Sequence, residues 1–280
     1  VSGPRRIQVG AARDFALGVT FVDGTGQVLS NGGRVMKNVT GYDLVKLMSG
    51  SWGTLGVLTE VALKVLPVSE TQVTLKVHVN TWADAVGCMS AALGTPFDVS
   101  GAATVQAAEG GFDSLIRIEG FETSVQYRAS ELTQRLAKFG TVDVVGDPWA
   151  EVKDLRAWAA LDTVWRISVR PTDSLKVIEL MQGLQQDRGF HCQLDWGGGL
   201  LWLGLEAAQM ADTRAGLALH QALQRHVAQL RGHATLVTSG LLRDQELCHF
   251  QPLERAIERV SQSLREKFDP RGILNPGRMR

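Results

Sequence analysis

Between Lys37 and Gly56 the chain carries Gly41, Gly50, Gly53 and Gly56, with Ser51 and Thr54 interleaved among the last three. Glycine lets backbone come close to a ligand and adopt positive φ. Successive N–H groups in such a loop form a concavity that binds anions, phosphates above all. The two hydroxyls add donors. The spacing is neither GxGxxG after a strand nor GxxxxGK[ST], so the Rossmann and P-loop readings fail on context. A tight turn ahead of a strand would use the same residues, and spacing alone leaves both readings open. Arg13-Asp14, just before the first expected strand, is either an ion pair or a polar surface pair. Lys37-Asn38 either sets a charge near a phosphate or belongs to a solvated loop.

Other reactive side chains form weaker patterns. His191 and Cys192 are adjacent, and neighbouring strand residues point to opposite faces. There is no HxH, HExxH or CxxC, so no metal site is expected. Ser239-Gly240 is not in a GxSxG elbow, so no hydrolase nucleophile is indicated. Arg166 and Arg170 share a strand face with Ser168; they can face a substrate carboxylate or take exposed structural roles. Trp82, Trp149, Trp158, Trp165, Trp196 and Trp202 fit core or interface packing.

These residues sit in a chain of 280 with 44% hydrophobic and 21% charged residues, the balance of an ordinary folded protein rather than a disordered one. Lys+Arg and Asp+Glu number 29 each, which removes the electrostatic case for a nucleic-acid binder or a polybasic anchor. Cys88, Cys192 and Cys248 make no disulfide framework and read as reduced thiols. No apolar run reaches the length of a transmembrane helix.

The elements that must position the glycine loop follow from periodicity. Phe15–Val22 and Gln27–Ser30 read as strands around Asp23-Gly24-Thr25-Gly26, and 42–48 as a short helix. The strand after Gly56 sets Val57, Thr59, Val61, Leu63 and Val65 on one face, and Pro67 ends it. Then a rhythm appears twice. Strands at 73–79, 99–108, 114–119 and 142–145 enclose helices at 81–93, opened by Thr81 with Asp84, and 124–139. After a linking helix over 148–160, with Pro148 at its first position, strands at 165–170, 190–196, 200–206 and 233–238 enclose helices at 172–187 and 208–230. Each half is the β-α-β-β-α-β order of ferredoxin-like folds. Two such repeats side by side predict one antiparallel sheet with helices on one face. A last helix covers 253–268.

Three ordered motifs carry a resemblance. Gly10-Ala11-Ala12-Arg13-Asp14-Phe15-Ala16-Leu17-Gly18, the stretch Val35-Met36-Lys37-Asn38-Val39-Thr40-Gly41-Tyr42-Asp43-Leu44, and Gly50-Ser51-Trp52-Gly53-Thr54-Leu55-Gly56-Val57 resemble FAD-linked oxidases of the vanillyl-alcohol-oxidase, or PCMH, type. So does the ending Phe268-Asp269-Pro270-Arg271-Gly272-Ile273-Leu274-Asn275-Pro276-Gly277-Arg278. Within that superfamily Trp165-Arg166-Ile167-Ser168-Val169 and Asp195-Trp196-Gly197-Gly198-Gly199 are most similar to FAD-binding subunits of bacterial glycolate oxidases.

The resemblance implies an α+β protein in two parts. Residues 1–68 would be the C-terminal portion of a PCMH-type FAD-binding domain. Residues 69–280 would be the cap domain of two ferredoxin-like repeats, with the 268–280 tail returning towards the FAD domain. It implies FAD as cofactor, held by Gly50, Ser51, Gly53, Thr54, Gly56 and Val57, with Gly41, Arg13 and Asp14 in the same domain. An upstream glycine-rich loop gripping the pyrophosphate is expected before Val1. The resemblance further implies oxidation of a 2-hydroxy acid, glycolate to glyoxylate, within a complex holding a second flavin subunit and an iron-sulfur subunit. A cytoplasmic location follows, with the inner face of the membrane reached through partners. Relatives that oxidise 2-hydroxy acids carry a histidine-rich HxGDGNxH segment and a Glu-His-Gly motif. The matching places here read Asp195-Trp196-Gly197-Gly198-Gly199 and Thr238-Ser239-Gly240-Leu241. No catalytic residue is therefore assigned, and the main substrate machinery is expected on a partner. A non-catalytic assembly subunit and a stand-alone D-lactate-type oxidase are the alternatives.

Overall fold

A computed structural model describes residues 3–36, 41–242 and 247–279. The chain forms two compact units: Gly10–Pro67 with the chain from Pro252 onward, and Gly3–Val9 with Val68–Gln251. The chain grouped with the first unit thus starts at Pro252, earlier than the 268–280 tail expected from sequence, and Gly3–Val9 groups with the second.

The first unit is built on a three-stranded antiparallel sheet of β1 (Ala16–Val22), β2 (Val28–Gly32) and β3 (Val57–Leu63), in the order β2-β1-β3. Central β1 buries Ala16, Val19 and Phe21 against α1 (Leu44–Met48), whose Val45 and Met48 complete a small core with Leu55. Asp43 caps α1 by accepting from the Lys46 amide at 3.0 Å. Strand β3 differs from the half-buried strand its alternation predicts. It lies at the sheet edge and every residue except Ala62 is exposed, including Val57, Leu58, Val61 and Leu63. The C-terminal helix, Arg255–Phe268, joins this unit because its last residue packs on the core: the Phe268 and Phe21 rings lie 6.1 Å apart. That helix is strongly amphipathic, yet no residue of it is buried.

The second unit is an eight-stranded antiparallel sheet in the order β11-β8-β10-β9-β5-β6-β4-β7. Its strands are β4 (Thr71–Val79), β5 (Val99–Gln106), β6 (Phe112–Gly120), β7 (Val142–Val145), β8 (Thr163–Ser168), β9 (His191–Asp195), β10 (Leu200–Leu205) and β11 (His233–Thr238). Each half therefore has its fourth, first, third and second strands in that spatial order, and the halves join through their second strands. The join is narrow: the β5–β9 ladder registers Thr104 opposite Leu194. Helices α2 (Trp82–Leu93), α3 (Glu122–Leu136), α5 (Ser174–Gln185) and α6 (Thr213–Gln229) cover one face. The core there holds Leu75, Ile116, Trp165, Leu194, Leu201 and Leu203, all fully buried. Thr81 caps α2, accepting from the Asp84 amide at 3.1 Å while its hydroxyl donates to the Asp84 carboxylate at 2.6 Å.

The opposite face is not bare. Helix α4 (Trp149–Asp154) lies on it, and Trp149 and Val152 pack against Ala103 and Leu115. The linking helix expected over 148–160 stops early because Leu155 takes a left-handed conformation, φ 50°. A 3₁₀ turn, Arg156–Trp158, follows, and Pro148 stands at the cap rather than inside the helix. The long helix expected over 208–230 is also broken. A 3₁₀ turn at Ala207–Met210 precedes Asp212, whose carboxylate accepts from the Arg214 and Ala215 amides and starts α6 afresh. Similarly, 172–187 resolves into α5 with a 3₁₀ turn at each end. Segment Gly3–Val9 crosses the narrow join. Arg5 forks onto Glu119 of β6, and Arg6 stacks 4.5 Å from the Trp196 ring beyond β9.

Candidate functional site

In the first unit the Met48–Leu58 segment meets the C-terminal tail around a cleft of about 450 Å3. Its lining includes Ser51, Trp52, Gly53, Gly56, Val57 and Asn275. The loop turns because three of its four positions from 50 to 53 leave the right-handed region: Gly50 (φ 91°), Trp52 (φ 55°) and Gly53 (φ 70°). Two bonds brace it from within. The Ser51 amide donates to the Met48 carbonyl at 3.2 Å, and the Thr54 amide to the Ser51 carbonyl at 3.0 Å.

The tail is fixed by two further features. Asp269 ends the C-terminal helix, and its carboxylate accepts from the Ile273 amide at 3.1 Å and the Leu274 amide at 2.7 Å. Gly24 provides the seat: its amide donates to the Phe268 carbonyl at 2.7 Å, and its carbonyl accepts from the Arg271 guanidinium at 3.1 and 3.3 Å. The Asn275 side chain, so placed, donates to the Trp52 carbonyl at 2.9 Å, and Arg278 lies 4.9 Å from the Trp52 ring. Beside Gly24, Asp23 accepts from the Thr25 hydroxyl at 2.6 Å and from the Thr25 and Gln27 amides. The Thr25 hydroxyl above all holds its carboxyl below the usual range.

The residues expected from sequence divide by role. Ser51, Gly53, Gly56 and Val57 all line the cleft. Gly50 lies at its approach, with open space where a side chain would stand. Gly56 also abuts the core: a Cβ there would meet Phe21 at 2.7 Å, so its lack of a side chain serves packing. Thr54 is buried and its hydroxyl donates to the Ser51 carbonyl at 2.7 Å, so it stiffens the turn. Gly41 is exposed and does not line the cleft. Nor do Arg13 and Asp14. Asp14 accepts from the Ala11 amide at 2.7 Å and closes a single helical turn, while the Arg13 carbonyl accepts from Lys46 Nζ. Lys37, Asn38, Val39 and Thr40 lie outside the described residues.

The sequence reading missed Trp52 and Asn275 as partners of this loop. Asn275 stood in a noted motif, but nothing local links it to a carbonyl 223 residues away.

A flavin fits this cleft in part. Among the described residues no hydrogen bond engages the Gly50 or Gly53 amides, and the Ser51 hydroxyl adds a donor at the lining. Val57 and Leu58 supply an apolar wall. This donor set suits a polar, anionic segment of a nucleotide beside an apolar one. The volume suits one portion of a dinucleotide rather than all of it.

In the second unit the Asp195-Trp196-Gly197-Gly198-Gly199 stretch, where histidine motifs stand in some relatives, forms a tryptophan turn. Trp196 (φ 55°), Gly197 (φ 67°) and Gly198 (φ 99°) bend the chain after β9, and the Trp196 indole N–H donates to the Gly3 carbonyl at 3.2 Å. Among the described residues no three His, Cys, Asp or Glu side chains converge to hold a metal ion, and no helix is long and apolar enough to cross a membrane.

No family model matches the chain. The glycolate oxidase subunit GlcE of Escherichia coli is 35% identical over the whole chain, which spans 69% of that protein. The glycolate oxidase subunit GlcD of Bacillus subtilis is 42% identical over 73 residues, 26% of this chain and 16% of that one. A solved structure of p-cresol methylhydroxylase with substrate bound shares the fold, with a TM-score of 0.67 at 13% identity, over 95% of this chain and 65% of that one. Similarity over the whole chain, including the glycine loop and the Asp269–Arg278 tail, on a PCMH-type fold, places the chain in the FAD-linked oxidase family that includes the glycolate oxidase subunit GlcE.

Proposed function

We propose that this chain is the FAD-binding subunit of a glycolate oxidase-type complex that oxidises a 2-hydroxy acid. The observation that carries the reading is the whole-chain identity to GlcE, joined to a cleft whose free glycine amides sit where that family's motif falls. In this reading the first unit is the C-terminal portion of the FAD-binding domain and the second is the cap. Gly53, Ser51 and Val57 hold one segment of FAD, with Gly50 at its edge and Asn275 fixing the turn from behind. Bound FAD supplies the two-electron acceptor for taking a hydroxyl-bearing carbon to a carbonyl. The protein's share is to hold the loop in a shape that water alone would not select, since three residues carry positive φ before any ligand arrives.

The second flavin subunit and an iron-sulfur subunit are the proposed partners, and the main substrate-binding machinery is proposed to lie on a partner, since the histidine motifs have no counterpart in this chain. The inner face of the membrane would be reached through those partners. The test is flavin retention. The purified chain is mixed with FAD, desalted, and its visible absorbance and flavin fluorescence measured. Retained, quenched flavin is expected. A folded chain that retains none overturns the reading in favour of an assembly subunit without functional flavin. Reduction of bound flavin by glycolate without any partner would instead indicate a stand-alone oxidase.

A further inference from the structure

The second unit ends in a segment, residues 247–251, that covers an edge. It lies along β11, the outermost strand of the eight-stranded sheet. Two amides of β11 bond to it: Leu236 donates to the His249 carbonyl at 2.7 Å, and Ala234 to the Gln251 side chain at 3.1 Å. A bare edge strand would present those groups to water or to another strand. Immediately after the segment, at Pro252, the chain passes to the first unit.

A histidine of α6 holds the segment from below. His220 is buried, and so is Trp165 of β8, which donates its indole N–H to His220 Nδ1 at 3.0 Å. His220 Nε2 lies 3.1 Å from the Cys248 carbonyl. An indole N–H only donates and a carbonyl only accepts. A single form of the ring therefore satisfies both contacts: the neutral one, with its proton on Nε2. Gln224, one turn on, donates from Nε2 to the Cys248 and Phe250 carbonyls at 2.9 and 3.0 Å. Its own backbone carbonyl accepts from the Gln251 side chain at 3.0 Å.

Protonation takes this arrangement apart at one point. A proton added at Nδ1 sets an N–H against the indole N–H, two donors with no acceptor between them. The residue is 1% exposed, so the new charge meets no water either. Burial accordingly holds the imidazole below its ordinary range; the Cys248 carbonyl pulls the other way, and the charge of His249 adds to the burial. Of the elements packed on the ring, β8 presents the uncharged Trp165, and the segment presents His249 and exposed Cys248. Among the described residues no carboxylate, lysine or arginine acts on it. His249 behaves differently. Its Nδ1 lies 3.3 Å from the Leu236 carbonyl, a contact in which the ring donates, so an added proton leaves that bond in place.

We propose that His220 is the latch of an acid-released cover: protonation at Nδ1 breaks its bond to Trp165, drives the ring toward water and lifts residues 247–251 from β11 and α6 while the sheet stays folded. The neutral ring is the latched form. Opening takes up one proton, so release grows as pH falls below the value of a free histidine, about 6.5. The stretch set free is the last one before the chain leaves this unit at Pro252. Acid therefore loosens the tether between the two units, and the device needs neither flavin nor substrate.

The experiment follows hydrogen exchange of individual backbone amides by NMR on the full chain, from about pH 7.5 to about pH 5, with rates corrected for intrinsic exchange. The Leu236 and Ala234 amides, which the segment covers, are compared with those of β8 and β10 inside the sheet. Opening at Leu236 and Ala234 should rise by up to about tenfold per pH unit below about 6.5, with β8 and β10 unchanged. No such rise overturns the proposal. So does a parallel rise in β8 and β10, the mark of general acid unfolding. His220→Gln offers the indole an oxygen and the Cys248 carbonyl an N–H, and it does not titrate. It should abolish the slope, and a slope that persists overturns the proposal. Should His220→Gln not fold, His249→Asn decides. The slope should survive that change, and its loss would put the titration on His249 and overturn the latch.

Discussion

Gly53→Ala tests whether the glycine loop is held by its tail. At φ 70° an alanine pays the left-handed penalty, about 1–2 kcal/mol. Its Cβ would also stand 2.6 Å from Asn275 Nδ2. That amide is the end of a flexible side chain, so it swings away and gives up its bond to the Trp52 carbonyl, worth about 0.5–1.5 kcal/mol. The sum is about 2–3 kcal/mol, or roughly 4–12 °C in thermal midpoint for a chain of this size. Gly50→Ala is the matched control, because Gly50 has φ 91° but open space around it. It should cost only the backbone penalty. The assay is thermal denaturation by circular dichroism of Gly53→Ala, Gly50→Ala, Asn275→Ala and the two doubles. Asn275→Ala should cost about 1 kcal/mol alone and almost nothing on top of Gly53→Ala, because the bond is already lost there. With Gly50→Ala it should add in full. Additivity in both doubles, to within ~0.5 kcal/mol, would refute the reasoning.

Three further outcomes are expected. Burial lifts the folded-state carboxyl of Asp195 to about 7, while Arg117 and Arg166 nearby oppose the shift. The folded chain then holds a proton that the unfolded chain has released, so this group costs stability as pH rises from about 4 to about 7. Asp195→Asn should flatten that decline, and denaturation profiles of equal slope for both proteins would contradict it. Gly24→Ala sets a Cβ 2.7 Å from the Asp269 backbone, which cannot yield as a side-chain tip can; a loss of about 1–3 kcal/mol and faster proteolysis of the tail are expected. Arg5→Met removes the fork on Glu119, leaving that carboxylate Arg117 at 3.2 Å and the Ser100 hydroxyl, and should cost about 1–2 kcal/mol with faster tryptic cleavage after Arg6.

What sequence made legible follows from the range of the interactions. Strand β4 alternates apolar and polar residues, and the other strands of this unit are short apolar-rich runs between turn residues, so their order and both ferredoxin-like repeats can be read without structure. The caps at Thr81 and Asp212 are local too, but only the first carried its signal in an apolar-periodic setting. Asp212 starts a helix inside a run that composition alone joins to the turn before it, which is why 208–230 reads as unbroken. Leu155 is harder still. A leucine has no preference for left-handed φ, so the end of α4 at that residue is imposed by packing of Trp149 and Val152 on the sheet rather than announced by the chain.

The candidate sites show the same limit in sharper form. A glycine's spacing states that backbone approaches something, not what it approaches. Gly53 and Gly56 are three residues apart and look alike in the motif, yet one faces a cleft and an asparagine amide while the other admits Phe21 into the core. Arg166 and Arg170 pose the converse case. Both are arginines in one strand-like phrase, and their difference lies in partners that sequence cannot supply. Arg170 meets Asp173 three residues on, a local pair that leaves it neutralised at the surface. Arg166 meets Trp196 and Trp202, aromatic faces that orient a guanidinium without neutralising it. An ion pair discharges an arginine, whereas an indole holds it and leaves its donors free. That distinction separates Arg166 from Arg170, although both stand in one phrase of the sequence.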